Sequence, residues 1–246
     1  MAASRILGKH LARKRSALVH RGGQAKSPGR RERRHAETRE RLMSSALRLF
    51  AERGFADTSI EDITEAADVG KGTFFNYFET KEHVLDTFGK QRIAKVEAAL
   101  AEARSGKKPI QQILRQLAHS HAGESPFTPK LMRSFLVAAL LNDSVCRTTT
   151  GNQAYGRRVL AEIIAIGQKR GEVRRDISAR QVARAMQQGI FGAFLLWALN
   201  PDLEISTWLD PWVDVMLFGV VPRGRENARG TPRNSDVPRT KRHTAA

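Results

Sequence analysis

Between residues 36 and 220, large apolar side chains recur every three to four positions, the period of a helix with one buried face. Leu42, Ala46, Leu49, Phe50 and Phe55 open the pattern and Gly54 interrupts it, so the spacing predicts a helix over 36–53. Ser59, with Asp62 three positions on, is an approximate capping box opening a short helix to about Ala67. Residues 68–70 (Asp-Val-Gly) read as a tight turn, 71–77 as another short helix, and Lys81-Glu82 as the start of a long helix to about Arg104. Further helices are expected at 109–121, 128–141, 145–170, 178–199 and 204–220. They are parted by breaks at 123–126 (Gly-Glu-Ser-Pro), 171–173 (Gly-Glu-Val) and 200–201 (Asn-Pro). No run alternates with the period of a strand, so the expected fold is all-α, with about nine helices.

Composition changes this picture mainly at the ends. The 246 residues carry a formal net charge of +17. Residues 1–35 hold eleven Lys/Arg and one Glu, and residues 222–246 hold seven Lys/Arg and two acids, which leaves 36–221 with a net charge of only +2. Neither end has a sustained apolar period. The expectation is a loose basic tail over 1–35 and another over 222–246. An organelle transit peptide or an over-called start codon remain alternative readings of the first. No apolar run exceeds seven residues, far below the ~20 of a membrane span, and no membrane partner is expected. One cysteine, Cys146, leaves no intrachain disulfide. The scattered histidines suggest no metal site, and no cofactor is expected. His35, His119 and His121 form no triad, and paired carboxylates, a nucleophile elbow and a phosphate loop are all missing, so no catalytic residue is nominated and the chain is read as a non-enzyme.

The informative stretch is 38–85. Two short helices around a three-residue turn make a helix-turn-helix, whose second helix enters a major groove N-terminus first. Here that helix would present Lys71, Thr73, Phe75 and Asn76 outward and turn Phe74 and Phe78 onto Leu49, Ile60 and Ile63. Lys and Asn carry donors for base edges, and Thr adds a hydroxyl and a methyl group. Tyr77 and Lys81 would lie beside a backbone phosphate, and Thr58 and Ser59 would offer hydroxyls and amides to another. The alternative is a small helical core in which Thr58 or Ser59 merely caps a helix. Residues 36–81 hold six Lys/Arg against nine acids, which argues against indiscriminate phosphate attraction. Arg30–Arg34 could supply charge as a minor-groove or backbone arm, or be a solvated tail.

The residues of this stretch, LMSSALRLFAERGF (42–55), TSIEDI (58–63) and ADVGKGTFFNYFETKEHVL (67–85), resemble the N-terminal domain of the TetR family of transcriptional regulators. The resemblance implies that Thr73, Phe75, Asn76, Tyr77 and Lys81 contact DNA, with Gly72 where a small residue is typical. Three positions depart from the pattern: Gly70 for a usual capping serine, Phe75 for a common tyrosine, and Asp68 for a usual glycine. The implied organisation is a basic tail over 1–35, a three-helix DNA-binding domain over 36–82, a helical ligand-binding and dimerisation domain over 83–221, and a basic tail over 222–246.

In the second half, Gly189, Gly192, Ala193 and Leu196 on one helix and Trp208 and Trp212 on the next could pack within the chain. The resemblance implies instead that these two helices pair with their copies in a homodimer. A ligand cavity is expected among the preceding helices, walled by Phe88, Leu117, Phe135 and Leu136 together with Leu140, Tyr155, Ile163 and Phe191. Gln116, His119 and Asn142 would orient a largely apolar small molecule.

The leading expectation is a cytoplasmic, nucleoid-associated bacterial regulator, with repressor action implied by the resemblance. It would bind double-stranded operator DNA as a homodimer and release it on binding an effector. One alternative is an architectural DNA-binding protein without an effector; another is a helical enzyme or interaction module whose helix-turn-helix no longer reads DNA.

Overall fold

The first helix, α1 (Arg30–Arg53), starts earlier than its apolar stripe. The Gly29 amide donates to the Glu32 carboxylate at 2.8 Å, which closes the first turn, and arginine is a good helix former. Residues 30–35, assigned above to the loose tail, are therefore helical, a correction made by propensity rather than by burial. The computed structural model describes residues 29–120 and 127–220. The remainder of both tails, His121 and the expected break at 123–126 lie outside them. The chain divides into two units, Met1–Glu40 and Arg41–Ala246. In the first, the described turns of α1 are mostly exposed, and the Thr38 hydroxyl donates to the Arg34 carbonyl.

From Arg41 onward, α1 buries Leu42, Met43, Ala46, Leu47, Leu49 and Phe50. Among the described residues eight more helices follow: α2 (Ile60–Ala66), α3 (Lys71–Phe75), α4 (Lys81–Ser105), α5 (Ile110–Ser120), α6 (Pro129–Leu141), α7 (Asp143–Arg170), α8 (Ala179–Leu199) and α9 (Ile205–Val220). The all-α expectation holds among the described residues, and every helix lies within a few residues of its expected place. Local chemistry explains the boundaries. Thr80, Thr128, Asn142 and Ser178 are N-caps whose side chains accept first-turn amides. Gly106 and Gly171 close α4 and α7 with φ of 73° and 77°. Asn142 ends α6 and caps α7 at once, which moves the start of α7 to Asp143 from the expected 145.

Three apolar clusters make the core. One joins α1–α4 to Leu131 and Ala138 of α6 and Val145 of α7, so the helix-turn-helix and the following helices share buried side chains. A second lies among α4, α5, α7, α8 and α9 around Ile110, Ile163 and Ile164. The third gathers Met132, Phe194, Trp197 and Leu209. Helix α8 corrects the reading that no segment reaches membrane-spanning apolarity: its 21 residues are long and apolar enough to cross a bilayer. Short runs concealed this, because polar Gln187 and Gln188 interrupt them. In this fold α8 buries Val182, Ala183, Met186, Ala193, Phe194 and Trp197 against its neighbours.

Candidate nucleic-acid interface and ligand cavity

The turn between α2 and α3 is built from backbone. Ser59 and Asp62 form a full capping box: the Ser59 hydroxyl accepts the Asp62 amide at 3.0 Å, and the Asp62 carboxylate accepts the Ser59 amide at 2.8 Å. The same carboxylate accepts the Ser59 hydroxyl proton, and these bonds hold Asp62 below the usual aspartate range. At the other end, the Asp68 and Val69 amides donate to the Glu65 and Thr64 carbonyls at 3.0 Å each, the pattern of a Schellman motif. That motif needs a left-handed residue, and Asp68 supplies it with φ of 49°. Gly70 caps α3 with an extended backbone and no side-chain bond.

Helix α3 stands on Phe74 and Phe78, both fully buried beside Leu49 and Ile63. This seating turns Lys71, Gly72, Phe75 and Asn76 to solvent and leaves Thr73 and Tyr77 half-buried. Phe75 is 49% exposed, its ring edge-on to Phe74. A Cβ at Gly72 would meet nothing within 4 Å, so the backbone there is open to a close approach. Lys71 pairs with Glu61 of α2, and that hydrogen bond holds the Glu61 carboxyl below its ordinary range. The one cation of α3 is thus already matched by an anion.

Two nominated phosphate contacts are engaged elsewhere. Thr58 is 1% exposed and donates its hydroxyl to the Gly54 carbonyl at 2.7 Å. Lys81 donates from Nζ to the carbonyls of Phe55, Ala56 and Thr58 at 2.9, 3.2 and 3.0 Å, and lies 4.6 Å from the Phe55 ring centre. Sequence spacing could not reveal this, because a lysine 26 positions from Phe55 meets its loop only after α1 and α4 pack. Ser59 remains exposed, with its hydroxyl committed to the cap.

A cavity of about 580 Å³ opens among α4–α8. Phe88, Leu117, Phe135 and Phe191 line it as expected; the other four nominees do not. Leu136 packs in the third cluster, Leu140 is 82% exposed, and Ile163 is sealed in the second cluster. Tyr155 faces out and donates to Glu97 at 2.6 Å, which raises its phenol above the usual range. The nominated polar residues are also elsewhere: Gln116 accepts from Lys108, His119 faces Asp210 at 3.4 Å, and Asn142 caps α7. Sequence reasoning missed Phe127, Phe194, Arg92 and Arg157 in the wall. Only Arg92 left a local signal, four residues after Phe88 on one helical face.

The small residues of α8 divide. A Cβ at Gly189 would lie 1.9 Å from Trp212 Nε1 of α9, so this glycine serves contact within the chain. Ala193 is buried in the third cluster, Trp208 packs against it, and Trp212 packs on the second. These four nominees thus make intrachain contacts. A Cβ at Gly192 would meet nothing within 4 Å, and Leu196 is 44% exposed. They share an open face with Leu199 on α8, while Val215 and Phe218 are exposed on α9.

Residues 42–87 match the domain described as "Bacterial regulatory proteins, tetR family". The HTH-type transcriptional regulator TcmR of Streptomyces glaucescens is 38% identical over 84 residues, 34% of this chain and 37% of TcmR. The HTH-type transcriptional repressor DhaR of Mycobacterium sp. (strain GP1) is 26% identical over 191 residues, 75% of this chain and 92% of DhaR. Among solved structures, Thermus thermophilus FadR in complex with lauroyl-CoA is 27% identical with a TM-score of 0.52, over 76% of this chain and 96% of its own. The SmeT–triclosan complex, 16% identical with a TM-score of 0.64 over 85% of this chain and 99% of SmeT, shares the fold. The matching domain coincides with the helix-turn-helix, and relatives extend the likeness through the helices behind it: residues 42–87 carry a DNA-binding domain of the TetR type, and over most of its length the chain is similar to TetR-family transcriptional regulators.

Proposed function

We propose that the protein is a sequence-specific repressor that binds a palindromic operator as a homodimer and is released by a small-molecule effector. The observation that carries this reading is α3: a short helix whose base, Phe74 and Phe78, is buried while Lys71, Gly72, Phe75 and Asn76 face outward. Lys71 can exchange Glu61 for a base edge or phosphate, Asn76 offers an amide for adenine, and Phe75 and the Thr73 methyl can meet thymine methyl groups. Ser59 and Tyr77 flank this surface; Lys81 and Thr58 support it from behind. Dimerisation through the open faces of α8 and α9 would bury Leu196, Leu199, Val215 and Phe218 and set two copies of α3 about one helical turn of DNA apart. A bacterial protein of this kind works in the cytoplasm, at the nucleoid.

The cavity supports an effector, as do the names of relatives: DhaR is a repressor, and FadR and SmeT are seen with lauroyl-CoA and triclosan. A 100-fold loss of operator affinity requires about 2.7 kcal/mol of coupling, and by reciprocity the operator must weaken effector binding equally. The basic ends favour a second reading, an effector-independent architectural protein with similar affinity for all duplexes. Selection from random oligonucleotides separates the two. The regulator enriches an inverted repeat and prefers it by about 10³-fold or more, and Lys71→Ala/Thr73→Ala/Asn76→Ala abolishes that preference. Uniform binding with a steep salt dependence would overturn the proposal.

A further inference from the structure

The cavity carries more chemistry than a purely apolar effector needs. The Arg92 guanidinium of α4 lies 4.2 Å from the ring centre of Phe127 and 5.6 Å from those of Phe88 and Phe194. Such contacts hold the guanidinium against the aromatic part of the wall. Arg157 of α7 also lines the wall and is fixed by a relay. Gln187 donates Nε2 to the Gln153 carbonyl at 2.8 Å, which directs its Oε1 to accept Arg157 Nη1 at 2.8 Å. That relay holds a half-buried guanidinium in one orientation while using one of its five donors. An exposed third arginine, Arg184, reaches the same cavity.

Two carboxylates reach the wall as well, and both are engaged. Asp86 pairs with Lys90 at 2.6 Å and accepts Asn152 Nδ2 at 3.3 Å. Glu82 accepts Asn142 Nδ2 at 3.3 Å. Counting Lys90 with its partner, the described residues around the wall bring four cations and two anions among phenyl, aliphatic and amide groups. A bound cation would meet the Arg157 guanidinium unfavourably, and a neutral apolar molecule would desolvate its donors without replacing their hydrogen bonds.

We infer that the ligand of this cavity is an amphipathic carboxylate, its acid group held by Arg157 and its acyl or aromatic body lying against Phe88, Phe127 and Phe194. This rests on the reading of the cavity as the effector site and names the ligand's class.

Titration calorimetry of the full chain with three ligands sharing one ten-carbon tail tests it: decanoate, decanol and decyltrimethylammonium. Decanoate is expected to bind at least about tenfold tighter than decanol, as one charge-assisted hydrogen bond supplies, with the ammonium weakest. Arg157→Gln should reduce the preference to within about threefold, whereas Arg158→Gln, outside the cavity wall, should leave it intact. Equal affinities, a preference for the ammonium, no binding of decanoate at millimolar concentration, or an unchanged preference in Arg157→Gln would overturn the inference. The wild-type ligand series decides the charge question even if Arg157→Gln fails to fold. Operator release is scored separately on the selected DNA. Decanoate that binds selectively without releasing DNA defeats the effector reading alone; release by decanol and the ammonium as readily as by decanoate defeats the carboxylate inference alone.

Discussion

Replacing Lys81 with methionine separates a brace from a phosphate contact. The side chain spans α4 to the loop after α1, donating to three carbonyls at 2.9–3.2 Å while its ammonium lies 4.6 Å from the Phe55 ring centre. Methionine keeps the stem and removes the donors. The bonds to Phe55 and Thr58 are partly buried and the one to Ala56 is exposed. A hydrogen bond involving a charged group contributes about 1.5–3 kcal/mol when well shielded. Water can reach this loop, so about 1 kcal/mol for each of the two shielded bonds and little for the third is a reasonable scale, about 2 kcal/mol in all. At about 2–4 °C per kcal/mol for a chain of this size, Tm should fall by roughly 4–8 °C. The measurement is thermal unfolding by circular dichroism at fixed protein concentration, paired with operator affinity at several salt concentrations. The slope of log K against log salt should not change, because no phosphate contact is lost. An unchanged Tm together with a slope reduced by about 0.9 per lost contact would show that Lys81 reaches the DNA backbone and refute the brace.

Three further outcomes follow from the same geometry. Gly189→Ala gains about 1 kcal/mol of helix propensity but drives a methyl group into the Trp212 ring, so a net loss of about 1–2 kcal/mol is expected. The loss should vanish in a Trp212→Leu background, and a denaturant double-mutant cycle without coupling would contradict this. Asp68→Val should destabilise by about 1 kcal/mol because a branched residue resists the left-handed conformation, while Asp68→Gly should be neutral or better. Equal urea midpoints for the two variants would be inconsistent with that conformation. Glu61 and Asp62 titrate below their ordinary values of 4.5 and 3.8, so their contribution is complete above those values and lost as pH falls through the lowered folded ones. Glu61→Gln should therefore flatten part of the acid limb of a stability profile between pH 7 and 3, and an unaltered limb would remove the Lys71–Glu61 pair as a cause.

Periodicity and capping chemistry act within four or five residues, so the sequence alone determined the helices, the capping box at Ser59, the left-handed turn at Asp68 and the inward face of α3. The onset of α1 escaped because arginine-rich turns carry no apolar stripe. Contacts between distant segments depend on how the helices pack, and those only the tertiary structure decided. It turned Lys81 from a presumed phosphate ligand into a brace, and it buried Thr58. The same packing put Ile163 in the core and Leu140 in solvent, although both carry the same apolar signal. It set Gly189 against Trp212 within one chain, and it gathered Arg92, Arg157 and the phenyl rings of three helices around one cavity. An apolar stripe specifies that a face is covered; which partner covers it, and where space is left, follows from helix crossing and side-chain volume, which no local pattern encodes.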